Sequence, residues 1–129
     1  MRYKHRLITI FIMLSGITMF TQAHAGDFVT GDKLASLVIN KTVRAKHLKK
    51  DFEFSIYFDK DGKTAFRKKR NGEIVKTTYR FDGNKHCLFW KGKDRCASIK
   101  DNGDGTYSRI NDSGNEVVKW TKLEVGKNL

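Results

Sequence analysis

Turn signals recur along this chain every nine to twelve residues, and no other feature restricts its fold as much. They read Asp61-Gly62, Asn71-Gly72, Gly83-Asn84, Lys91-Gly92, Asn102-Gly103-Asp104-Gly105 and Ser113-Gly114. Between them lie runs rich in aromatic and β-branched residues, at 52–58, 64–70, 74–81, 86–90, 95–99, 106–110 and 116–123. Residues 42–48 add one candidate more. Short strands at this spacing predict a mainly β fold: a small antiparallel meander of seven or eight strands, closed as a barrel or curved into a half-barrel.

The register follows from the turns. Phe52, Phe54, Ile56 and Phe58 alternate along one strand, so their shared face is the core. A three-residue loop, Lys60-Asp61-Gly62, sets Ile56 opposite Phe66. A two-residue turn at Asn71-Gly72 then sets Phe66 opposite Thr77 and brings Val75, Tyr79 and Phe81 to the core. A turn at Gly83-Asn84 sets Tyr79 opposite Leu88. The faces of Val117, Val118 and Trp120 stay open. Ahead of the sheet, Leu34, Leu37 and Val38 form an i, i+3, i+4 stripe. This predicts one short helix, with Thr30 as N-cap, Val29 stapled to Leu34 and Asn40 as the stop. Residues 126–129 read as a frayed tail.

The only two cysteines test the meander. If Lys91-Gly92 is a two-residue turn, Trp90 faces Lys93, and Cys87 falls opposite Cys96 in a non-hydrogen-bonded pair. Such pairs sit about 4.5 Å apart at Cα, within the range of a disulfide. A redox pair or metal site fits less well, because the spacing is not C-x-x-C and no His cluster accompanies it.

A disulfide needs an oxidising compartment. Residues 1–25 supply the route. Arg2, Lys4 and Arg6 precede an apolar run at 7–20, and Ala23-His24-Ala25 is a small-x-small cleavage site. The run is short against the ~20 residues that span a bilayer. The expected organisation is therefore a cleaved signal peptide, 1–25, and one periplasmic or secreted domain, 26–129, without a further membrane segment. That domain carries 23 Lys and Arg against 14 Asp and Glu. Its 7 Phe, 3 Tyr and 2 Trp suffice for one small core.

The order of these motifs resembles a family of small exported proteobacterial proteins of uncharacterised function. The likeness runs from Val29 to Gly126: a Thr30-Gly31 helix, the Asp61-Gly62 hairpin, a Cys87…Trp90…Cys96 strand pair and a closing Gly-rich hairpin. Tyr79 stands where the family pattern has Trp. The resemblance implies no chemistry and transfers no site residue.

Catalytic and metal signatures are missing from the sequence itself. His47 and His86 lack a placed nucleophile or carboxylate, and His86 reads as a satisfied core-edge residue opposite Phe81. With Gly62 or Gly105 as the sixth position of a calcium loop, the twelfth is Lys68 or Asn111 rather than Glu. None of the acids is expected to face the core, and a small filled sheet offers little room for a cleft. No enzymatic activity, metal or cofactor is expected.

What remains is charge. In this register Arg67, Lys69, Lys76 and Arg80 project from the outer face of neighbouring strands with Phe89 beside them. Such a basic face suits an anionic partner: an envelope polymer such as lipopolysaccharide or acidic glycan, a lipid headgroup, or an acidic protein. Export disfavours nucleic acid. The expected function is a non-catalytic binding module for such a partner. The alternatives are an accessory subunit of an exported complex and a carrier of a small apolar ligand inside the barrel. A solvated face that only keeps the protein soluble would look similar.

Processing is directly testable. Mass spectrometry of the exported protein is expected to show Gly26 as its first residue; a soluble product retaining residues 1–25 contradicts the export reading.

Overall fold

Eight strands each pair with their neighbour in sequence, and the last of them returns to the first. The computed structural model describes residues 26–129; the expected signal peptide lies outside the described residues. The barrel strands are β2 (Lys41–His47), β3 (Phe52–Phe58), β4 (Thr64–Lys68), β5 (Ile74–Asp82), β6 (Lys85–Trp90), β7 (Lys93–Asp101), β8 (Tyr107–Ile110) and β9 (Glu116–Val125). All pairings are antiparallel, and β9 closes on β2. A two-residue strand, β1 (Phe28–Val29), adds to β7 outside the ring. The fold is thus a closed eight-stranded barrel with one extra strand. Closure leaves no free edge and collects all inward side chains in one interior.

One helix, α1 (Gly31–Val38), links β1 to β2 across an end of the barrel. Its Leu34 and Val38 are fully buried and join Phe58, Ala65, Tyr79 and Ile99 in the core. The expected Thr30 cap makes no side-chain bond. Instead the Asn84 side-chain oxygen, from the β5–β6 turn, accepts the Gly31 N–H at 3.1 Å. Asn40 ends the segment in the left-handed region, φ 59°. Among the described residues no helix is long and apolar enough to cross a membrane.

Two turns form as the sequence predicts. Asp82 pairs with Lys85 around Gly83-Asn84, and Trp90 pairs with Lys93 around Lys91-Gly92. Both Lys91 and Gly92 have positive φ, 50° and 73°, as a type I′ turn requires. Cys87 therefore faces Cys96 at a Cα separation of 3.9 Å, and the two are disulfide-bonded.

Two turns depart from expectation, each longer by one residue. Between β3 and β4 the loop has four residues, because the Asp59 N–H donates to Thr64 O. The Asp61 carboxylate causes this. It accepts the Lys63 and Thr64 N–H groups, both at 2.8 Å, and the Thr64 hydroxyl at 2.6 Å. These bonds hold its carboxyl down to about 2. Ile56 consequently faces Arg67, not Phe66. Between β4 and β5, Lys69 pairs with Glu73 around a three-residue loop that ends on Gly72. Arg67 then faces Val75. Each change inverts a face, and together they restore it. Tyr79 and Phe81 point inward as expected, while β4 alone is turned over. Ala65 and Arg67 face the interior. Phe66 lies outside, stacked on Tyr57 with Lys127 Nζ 4.0 Å above its ring.

β9 carries a bulge where it meets Arg44 and Ala45. This resolves the open face: Trp120 points inward and is 1% exposed. Burying such a side chain contributes on the order of 1.5–3 kcal/mol. The tail is tied rather than frayed. Thr42 Oγ1 donates to Gly126 O at 2.6 Å and accepts the Asn128 N–H at 2.9 Å.

The disulfide lies on the outer wall beside Arg80 and staples adjacent strands. Closing so short a loop is worth about 2–3 kcal/mol. Cys87→Ser and Cys96→Ser are each expected to lower the unfolding free energy by that amount, and the double variant by no more than either. Additive losses in a urea titration contradict a shared bridge.

Candidate functional site

Opposite α1, the barrel stays open between the β2–β3, β4–β5, β6–β7 and β8–β9 connections. A cavity of about 330 Å³ enters there. The expectation that a small filled sheet leaves little room is thus corrected. The cavity walls are mostly apolar: Phe54, Ile56 and Phe58 from β3, Leu88 and Trp90 from β6, and Trp120 from β9. This volume is about twice that of an apolar cavity that admits benzene.

Set into that wall are cations. The Arg67 guanidinium lies 4.1 Å from the ring centroids of both Phe54 and Trp90. Both rings present their faces to the cation, a cation–π arrangement. Its Nε is buried and has no hydrogen-bond partner. Burial, and then the charge of Arg95, pushes Arg67 down to about 10, still cationic at neutral pH. Arg95, on β7, donates from Nε to Trp90 O at 3.3 Å. Deeper in, Arg109 of β8 is 8% exposed. It donates to His86 Nδ1, to His86 O and to Arg95 O. Lys50 and Lys91 stand at the mouth, with His47 stacked on Phe52 at 5.2 Å.

Among the described residues no Asp or Glu lines this cavity. The ion pairs among the described residues all involve other cations: Arg44, Lys46, Lys69, Arg80, Lys85 and Lys122. Acids are therefore spent on the outer wall and turns, leaving uncompensated positive charge in a low-dielectric interior. Walls of this kind concentrate field and draw anions in.

His86 sits beneath. It is fully buried, edge-on to Phe58 at 4.8 Å and to Trp120 at 5.7 Å. Because Arg109 donates to Nδ1, the imidazole proton resides on Nε2. That atom has no hydrogen-bond partner, so the histidine is only half satisfied, contrary to expectation. Burial, and then Arg109, holds its pKa well below the usual value.

The residues expected on one outer face divide. Arg67 is inside the barrel; its outward assignment fails with the β4 register. Lys69 lies beyond the end of β4 and pairs with Glu73 at 3.1 Å. Lys76, Arg80 and the exposed Phe89 do share the outside of β5 and β6. Arg80, however, is matched by Asp94 at 2.6 Å and Asp82 at 3.9 Å. Sequence reasoning missed Arg95 and Arg109. The alternation of Tyr107 and Arg109 in a run already read as a strand was the available signal. Among the described residues, the one group close enough to hold a metal is Cys87, Asp94 and Cys96. Its sulfurs are bonded to each other and its carboxylate to Arg80.

Comparison with known proteins finds nothing similar: no family model, no curated protein and no solved structure matches this chain.

His86 has a consequence for stability. Its folded pKa lies below the unfolded value of about 6.5. The unfolded chain thus binds more protons below that pH, and stability falls as pH drops. One such group gives a slope approaching 1.4 kcal/mol per pH unit. Urea titrations between pH 7.5 and 4.5 are expected to show this loss below pH ~6.5. His86→Gln is expected to flatten the slope, whatever its effect at pH 7.5; equal slopes contradict the assignment.

Proposed function

We propose that the protein is an exported, non-catalytic binding module that takes one small ligand into its barrel. The observation that carries this reading is the cavity itself. It is concave, about 330 Å³ in volume, and walled by aromatic and aliphatic side chains with a few convergent polar groups. Those are the general attributes of small-molecule sites. An eight-stranded barrel has the diameter for either a filled core or one enclosed ligand, and α1 fills only the far end. The Cys87–Cys96 bridge suits an oxidising compartment, in line with the signal features of residues 1–25.

Binding of an envelope polymer on the outer basic face is less well supported. Arg67 is absent from that face, and Arg80 and Lys69 have acidic partners. Lys76 and Phe89 alone remain for it. An accessory-subunit role has no specific observation in its favour.

A neutral aromatic probe, N-phenyl-1-naphthylamine, is expected to bind with one-to-one stoichiometry and to quench Trp90 and Trp120 emission. Ala97 lines the cavity and is almost fully buried. Ala97→Leu extends into free space, so it is expected to abolish probe binding while leaving the melting temperature nearly unchanged. Absence of binding, or binding unaffected by this substitution, contradicts the cavity as the site.

A further inference from the structure

We infer that the ligand of this barrel is a small organic acid: one carboxylate on an apolar body, with the carboxylate held at Arg67 beside Arg95 and Arg109. The inference rests on the barrel-ligand reading and narrows it to one chemical class.

Three observations converge. First, the cavity has cations without anions. Arg67, Arg95 and Arg109 line it, Lys50 and Lys91 flank the mouth, and among the described residues no acid is in its walls. A guanidinium taken from water without a counter-ion is costly to fold around; Arg109 is nearly fully buried and Arg67 partly so, neither has an acid partner among the described residues, and an anion from outside the chain would compensate both. Secondly, Arg67 is oriented for planar recognition. Its guanidinium carbon lies over both the Phe54 and the Trp90 ring, and its buried Nε–H has no acceptor among the described residues. The donors still free lie in the guanidinium plane, the fork that matches the two oxygens of a carboxylate. The rings also lock that fork in place, so little side-chain freedom is lost on binding. Thirdly, apart from Asn111 and His47, the remainder of the wall is mostly hydrocarbon and aromatic. Ile56, Phe58 and Leu88 offer nothing to a polar body. A sugar or nucleotide would lose its hydration there without replacement hydrogen bonds.

The volume limits the body. About 330 Å³ admits a two- or three-ring aromatic or a medium acyl chain, not a polymer or a two-chain lipid. An aromatic acid and an aliphatic acid share this chemistry.

The test uses protein purified from cells expressing the full chain, after lipid extraction and refolding to remove any carried ligand. Titration calorimetry compares 2-naphthoate with 2-naphthamide and decanoate with decanamide, pairs that differ chiefly in charge. At least one acid is expected to bind ten-fold or more tightly than its amide. The preferred pair identifies the body as aromatic or aliphatic. Arg67→Met retains length and stacking but removes the charge, and is expected to bring acid and amide to within about two-fold of each other. Arg67→Met is also expected to raise the melting temperature of the ligand-free protein, because it removes a buried unpaired charge. Arg95→Met, at an exposed position, is the second variant, expected to reduce the acid preference if Arg67→Met does not fold. Lys76→Gln on the outer wall controls for net charge and is expected to leave acid affinity unchanged.

If N-phenyl-1-naphthylamine binds but acids and amides bind equally, the cavity reading stands and the acid assignment is overturned. If Lys76→Gln weakens acid binding as much as Arg67→Met, attraction is by net charge and the assignment is also overturned. If neither the probe nor the acids bind, the cavity reading itself fails.

Discussion

Closure of β9 on β2 is the constraint from which the rest of this structure follows. In an open sheet an inward-facing arginine can reach water around an edge. In a closed barrel the inner face is a sealed list, drawn from alternate residues of eight strands. With α1 plugging one end through Leu34 and Val38, whatever stands on that list meets solvent only at the other end. Apolar residues on it make the core. The charged residues on it define the site.

The electrostatic balance inside is lopsided, and magnitudes show how far. Each cation over an aromatic face gains about 0.5–2 kcal/mol, more when dry. Desolvating a guanidinium still costs several kcal/mol after relaxation. Phe54 and Trp90 offset part of this for Arg67; two backbone carbonyls and His86 do so for Arg109. His86 makes that service possible by staying neutral, and it stays neutral because it is buried beside Arg109. The outer wall has the opposite character. There Arg80, Lys69 and Lys85 each have an acid within reach, as solvated faces usually do. What marks the cavity is that its cations are gathered around an apolar interior with no acid among the described residues lining it.

The fold was legible because the turns were. Lys91-Gly92 and Gly83-Asn84 are two-residue connections whose type is set by backbone φ, which the residue names reveal. From them followed the register of β5, β6 and β7 and the disulfide. Asp61-Gly62 and Asn71-Gly72 looked alike on paper but form longer loops. At the first, a side chain rather than the backbone decides: the Asp61 carboxylate gathers two N–H groups and a hydroxyl, and so enlarges the loop by one residue. The two errors cancelled in β5, so the aromatic core still appeared consistent. They did not cancel in β4, where Arg67 moved from the outer wall to the interior. The site was hidden by one residue of one loop. Arg109 was hidden differently: it stands opposite the buried Ile99, so its face follows from the β7–β8 hairpin, whose register the Asn102-Gly103-Asp104-Gly105 turn does not announce.

Everything functional here turns on which way Arg67 points. The most direct measurement is the arginine Nε–H region of a ¹⁵N-resolved NOE spectrum of the free protein. A buried Nε–H between two rings is expected to exchange slowly with water, to be displaced by ring currents, and to show NOEs to the ring protons of Phe54 and Trp90. An Arg67 Nε–H in fast exchange with solvent and without ring contacts, accompanied by Phe66 contacts to Ile56 and Phe58, would place β4 in the opposite register and contradict the interior site.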